Sequence, residues 1–118
     1  MTQRVLRHAD YLSHILEAIS LAQSYVEGIS KTDFLLDKRT QQAVILNIMV
    51  IGEAATKLAD EYPEFVAKFP QVQWKSMRGM RNRLAHGYFD INLDVVWETV
   101  RQALPELESQ IRQIRQAL

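Results

Sequence analysis

Apolar residues recur at three-to-four spacing along every long segment of the chain and alternate in none, which commits it to packed helices and leaves no strand for a sheet. The first such segment carries Val5, Ala9, Leu12, Leu16, Ile19 and Val26, with Gly28 behind it as a stop. Thr32 and Asp33 offer capping oxygens ahead of a short apolar cluster, Phe34-Leu35-Leu36, and a second long helix is expected from about Asp37 to Asp60. Its centre, Ala43-Val44-Ile45-Leu46-Asn47-Ile48-Met49-Val50-Ile51, is apolar nearly all round, so it should pack on several sides or lie at a subunit interface. Pro63 and Pro70 bracket a short segment, Glu64 to Phe69, before a third helix from about Gln73 to His86, which Gly87 ends. Asp90 and Asn92 are candidate caps for a last helix whose apolar positions run from Leu93 through Val96, Trp97, Val100, Leu104, Leu107, Ile111 and Ile114 to Leu118. Pro105 inside that helix should kink or divide it.

With 118 residues, no linker-like stretch and no internal repeat, these segments make one domain over residues 1–118, an all-α four-helix bundle with one short extra helix. A chain of this length can bury enough surface to fold without staples. It has no Cys, which removes disulfides, Cys nucleophiles, Cys-ligated zinc and iron–sulfur clusters, and fits a reducing compartment, so a cytoplasmic location is expected. No apolar run approaches the roughly 18 residues of a membrane span, and Met1 to Asp10 is polar and mixed in charge, so neither insertion nor a signal peptide is expected. Dinucleotide, P-loop and zinc-protease signatures are missing, and His8 and His14 are poorly spaced for a metal; no cofactor and no metal are expected.

The 14 basic and 14 acidic residues cancel, and on average that argues against a nucleic-acid partner. The average hides a patch. Between Phe65 and Phe89 there is no Asp or Glu, yet Lys68, Lys75, Arg78, Arg81 and Arg83 all fall there. Such a run is either a solvated face paired with acids from neighbouring helices or an anion site. On an ideal helix Met77, Met80 and Leu84 lie within about 60° of one another and define the core face, whereas Arg78, Asn82 and His86 form an i, i+4, i+8 row, with His86 about 140° from the core direction. A histidine facing outward among arginines suits proton transfer near neutral pH. Arg81 and His86 are themselves about 140° apart around the helix, so they meet one small target only if the helix opens at Gly87 or a two-fold dimer forms a composite site. The all-round apolar second helix and the outward polar row favour the dimer. Glu53, beside Gly52 and Ala54 in that apolar helix, calls for a partner, as a helix-stabilising ion pair to an arginine or in a catalytic role.

Arg81-Asn82-Arg83-Leu84-Ala85-His86-Gly87-Tyr88 resembles the R-x4-H-x-Y motif of HepT-like proteins in the HEPN superfamily, with Arg81, His86 and Tyr88 at the motif positions. Ile51-Gly52-Glu53-Ala54-Ala55, Trp74 with Met80-Arg81-Asn82, and Val96-Trp97 look like the same family pattern, so the resemblance covers nearly the whole chain. It implies a homodimeric, HEPN-like four-helix bundle that cleaves RNA without metal, as the toxin of a type VII toxin–antitoxin pair. The implied antitoxin is an MntA-like minimal nucleotidyltransferase that transfers AMP from ATP to the motif tyrosine, here Tyr88. In such a site His86 would move protons, Arg81 would orient and stabilise the phosphate, Asn82 would support by hydrogen bonding, and Arg78 and Arg83 would bind flanking phosphates. The alternative is a non-catalytic helical module that binds a nucleotide or nucleic acid and partners a nucleotidyltransferase.

Overall fold

The structure is a computed structural model that describes residues 7–118, Tyr88 through its backbone alone. It is all-helical among those residues, with no strand. Seven α-helices follow in order: α1 His8–Val26, α2 Lys31–Leu36, α3 Lys38–Glu61, α4 Pro63–Ala67, α5 Trp74–His86, α6 Leu93–Glu98 and α7 Leu104–Gln116. A 3-10 turn, Tyr88–Asp90, follows α5, and a π turn, Thr99–Ala103, joins α6 to α7. The four long elements of the expected bundle are therefore α1, α3, α5 and the continuous α6–α7 rod. The expected first helix includes Val5, which lies outside the described residues.

Local chemistry sets the boundaries. Gly28 has φ of +77°, a left-handed conformation that stops the chain after α1 at little steric cost. The cap of α2 is Ser30, whose hydroxyl accepts from the Asp33 N–H at 3.1 Å, ahead of the expected Thr32 or Asp33 in the chain. Asp37 caps α3 by accepting from the backbone N–H and the hydroxyl of Thr40, and those bonds hold its carboxyl below the usual range. Asn92 takes two N–H donors, from Asp94 and Val95, at the start of α6. The interruption expected at Pro105 is the π turn. Proline has no N–H to bond the carbonyl one turn back, and the rod widens by one residue there without dividing.

The core forms where α1, α3 and the α6–α7 rod meet. Leu12, Ile15 and Ile19 of α1 are fully enclosed with Val44, Ala55 and Leu58 of α3 and Ile111 of α7. Each aliphatic side chain so buried contributes about 1.5–3 kcal/mol. Phe34 of α2 is also wholly buried, its ring 5.3 Å from that of Trp97, and Lys31 pairs with Asp94 at 2.9 Å beside it. At the other end the Tyr11 hydroxyl donates to the Glu61 carboxylate, which fixes α1 antiparallel to α3; that bond, with burial, pushes the phenol up to about 12. By length and composition α3 could cross a membrane, although no unbroken apolar run within it reaches that length. Its apolar character is spent on the bundle: α1 covers one side and α5 another. A third side stays open, with Leu46 61% exposed and Val50 40%.

Candidate functional site

The cationic stretch is α5, and it is seated on α3 by a glycine. A Cβ at Gly52 would stand 2.4 Å from the Arg81 Cβ and 2.8 Å from the Met77 carbonyl oxygen, so only glycine lets the two helices approach this closely. Glycine inside a helix costs about 1 kcal/mol against alanine, and this contact offsets it. Leu84 is buried, Met77 and Met80 are partly so, and Trp74 anchors the start of the helix by donating its indole N–H to the Phe69 carbonyl at 3.1 Å. The core face expected from the helical wheel is the one observed.

On the remaining faces the side chains divide into two groups. Arg78 reaches across to α3, where one guanidinium nitrogen donates to Asp60 at 2.6 Å and points at the Thr56 carbonyl at 3.4 Å. Arg81 is half-buried; its Nε is enclosed with no hydrogen-bond partner, and its Nη1 stands 3.6 Å from the Glu53 carboxylate. The partner that Glu53 called for is thus Arg81. Asn82, Arg83 and His86 are exposed, Arg83 leaning on the Met80 sulfur at 3.6 Å. The cationic run therefore joins both descriptions: two arginines pair with acids of α3, and the residues after them face outward.

Arg81 and His86 open onto different clefts. Arg81 lines one of about 720 Å³ between α1, α3 and α5, with His14, Glu53, Lys57 and Asp60. His86 lines another, of about 610 Å³, with Arg83, Asp90 and Asn92 over an apolar floor of Met80, Leu84 and Val96. One chain does not bring the two motif side chains together, as their angular separation on the helix requires. The helix ends at Gly87, whose N–H bonds the Arg83 carbonyl at 2.8 Å. Its φ of −114° is ordinary, so glycine serves there by space: an added Cβ would come within 3.0 Å of that carbonyl. The backbone of Tyr88 begins the 3-10 turn, two residues past His86, and its side chain lies outside the described residues. Among the described residues no three His, Asp or Glu side chains gather as a metal would need.

Sequence reasoning missed the seat at Gly52 and the Asp60 partner of Arg78. A glycine inside a long apolar helix is a readable signal of close packing, whereas the sequence separation of 18 between Asp60 and Arg78 hid their contact.

A family described as "Ribonuclease HepT-like" matches residues 15–114. The chain is 37% identical over 108 residues to a Thermococcus cleftensis protein named "Probable ribonuclease HepT", an alignment covering 92% of this chain and 96% of that protein. It is 40% identical over 106 residues to a Caldanaerobacter subterraneus subsp. tengcongensis protein that carries an RNase name, covering 90% and 92%. A Methanocaldococcus jannaschii protein, likewise named as an RNase, is 38% identical over 104 residues, 88% of this chain and 84% of that protein. No solved structure matches significantly.

Proposed function

Because the chain belongs to the HepT-like ribonuclease family, we propose that it is a metal-independent endoribonuclease whose site is composite, formed where two copies of α5 meet. The observation that carries this reading is the split of the motif: Arg81 is held against α3 in one cleft while His86 stands exposed over another. An isolated chain offers half of what the chemistry needs. The arginine and lysine distribution suits the substrate, since phosphodiester binding draws on local positive charge and not on the net charge of zero.

In the proposed reaction one His86 removes the proton from a ribose 2′-hydroxyl, and the 2′-oxygen attacks the adjacent phosphorus. Negative charge grows on the phosphoryl oxygens, where Arg81 stabilises it. The bond to the 5′-oxygen breaks, and the second His86 returns a proton to that leaving group. The products carry a 2′,3′-cyclic phosphate and a 5′-hydroxyl. Asn82 and Arg83 bind flanking RNA, and Arg78 adds to the field from its ion pair with Asp60.

The open side of α3 supports the dimer. Tyr11 bonds Glu61 at one end of the antiparallel α1–α3 pair, so Leu21, ten residues and about 15 Å along α1, comes level with Val50. Leu21 and Tyr25, 41% and 40% exposed, thus extend the apolar strip of Leu46 and Val50. Arg78 and Arg81 align α5 antiparallel to α3 as well, which brings that strip level with Asn82 to His86. An exposed apolar strip beside a polar row is what a self-association face requires.

The biological reading is a toxin restrained by an MntA-like nucleotidyltransferase antitoxin. Transfer of AMP to Tyr88 would place a phosphate beside the cations of α5, occupy the RNA phosphate position and switch the site off without unfolding it. Purified protein should cut RNA in EDTA, and His86→Ala should not. Tight association with the nucleotidyltransferase without any RNA cleavage would instead support the binding-module reading.

A further inference from the structure

Two neighbouring residues of α3 act on Arg81 in different ways. Gly52 presents bare backbone, so the first carbons of the Arg81 side chain lie flat against α3, and the enclosed Nε fixes the inner end of the guanidinium in the packing. What remains free is the swing of the outer nitrogens, and the charge nearest to them is the Glu53 carboxylate.

The separation there is informative. At 3.6 Å the Glu53 oxygen is beyond hydrogen-bonding range of Nη1, so it orients the guanidinium by charge without consuming its donors. Arg78, one turn earlier, shows the other arrangement: its Nη2 is hydrogen-bonded to Asp60 at 2.6 Å, so that edge of the guanidinium is tied to an acid. A phosphate arriving at Arg81 meets a cation that is aimed and still open, and no ordering of a flexible side chain is needed when charge develops.

We propose that Glu53 is a positioning residue for Arg81, acting from the seat that Gly52 provides, a role that rests on the ribonuclease reading above. Glu53 does not touch the substrate; it sets the angle at which Arg81 does.

The test is steady-state cleavage of a fluorogenic mixed-sequence oligoribonucleotide by the full chain, comparing wild type, Glu53→Gln, Arg81→Ala and the double variant. Glutamine keeps the size of the side chain and removes its charge, so kcat should fall about tenfold while KM stays within about twofold. On the Arg81→Ala background the same change should cause no further loss, because the group it aims has gone. Gly52→Ala should lower kcat at least as far, and melting curves will show whether it also loosens the bundle; Glu53→Gln, exposed and isosteric, keeps the test open if Gly52→Ala fails to fold. A Glu53→Gln enzyme matching wild type, or one losing equally in both backgrounds, overturns the positioning role. No cleavage by wild type would overturn the ribonuclease reading itself, and the positioning role with it.

Discussion

The two ends of α5 are built differently. Its first two turns, through Arg81, lie on α3: Gly52 admits the helix, Trp74 anchors it, and Arg78 and Arg81 each find an acid of α3. Its last turn has Leu84 buried, while Ala85 and His86 are exposed and the helix runs out at Gly87 into a short 3-10 turn. In the proposed reaction those first turns supply the held cations, set against acids of the same chain. The last turn holds the group suited to proton transfer and leaves it open. Under the composite-site proposal, the division separates what must be preorganised, charge on a rigid element, from what a second copy would complete.

Removing either end's central group is expected to have the largest effect. Arg81→Ala and His86→Ala should each lower RNA cleavage by about a hundredfold or more, with far-UV circular dichroism unchanged. Equal loss of helix would mean that these residues hold the fold, erasing the distinction between the two ends. Next in size is Val50→Glu on the open side of α3, which should shift the protein to monomer in sedimentation velocity and cut activity about tenfold at low concentration. A monomeric variant with full activity would show that the exposed end needs no second copy. Arg78→Ala should cost only about threefold in cleavage, because that guanidinium is already committed to Asp60; a loss matching Arg81→Ala would remove the contrast between tied and open arginines.

The smallest effect lies away from α5 and tests the frame beneath it. The folded state raises the Tyr11 phenol from 10.0 to about 12 by bonding it to Glu61. The protonated phenol is the form the fold favours, so its contribution is complete below pH 10 and lost as pH rises from about 10 to about 12. Chemical denaturation across that window should show wild type losing stability more steeply than Tyr11→Phe. Parallel slopes would mean the bond does not hold α1 to α3.

Helix periodicity made the four long segments legible, α3 even though its centre is apolar nearly all round, and the start of α3 near Asp37 and the cap at Asn92 were readable from residue type. Ser30 was not, since Ser30, Thr32 and Asp33 all carry suitable oxygens and only the chain's path selects among them. The outward position of His86 and its separation from Arg81 followed from angles on α5 alone. Pairings between helices could not follow from them: Glu53 needed a partner, but its choice of Arg81, and Asp60's of Arg78, depend on where α5 crosses α3. Gly52 decides that crossing, and what its missing side chain is for appears only once the neighbouring helix is in place.

The claim that one chain holds half a site is tested most directly by poisoning. Wild type and His86→Ala chains, translated together in equal amounts in a cell-free system, pair at random, and about a quarter of the dimers then carry two intact histidines. If both copies of His86 serve one reaction, cleavage of an oligoribonucleotide in EDTA falls to about a quarter of that given by the same total of wild-type chain. Activity at one half, in proportion to the wild-type chains present, would mean that one intact histidine is enough for each cut and would contradict a site that uses both copies of His86.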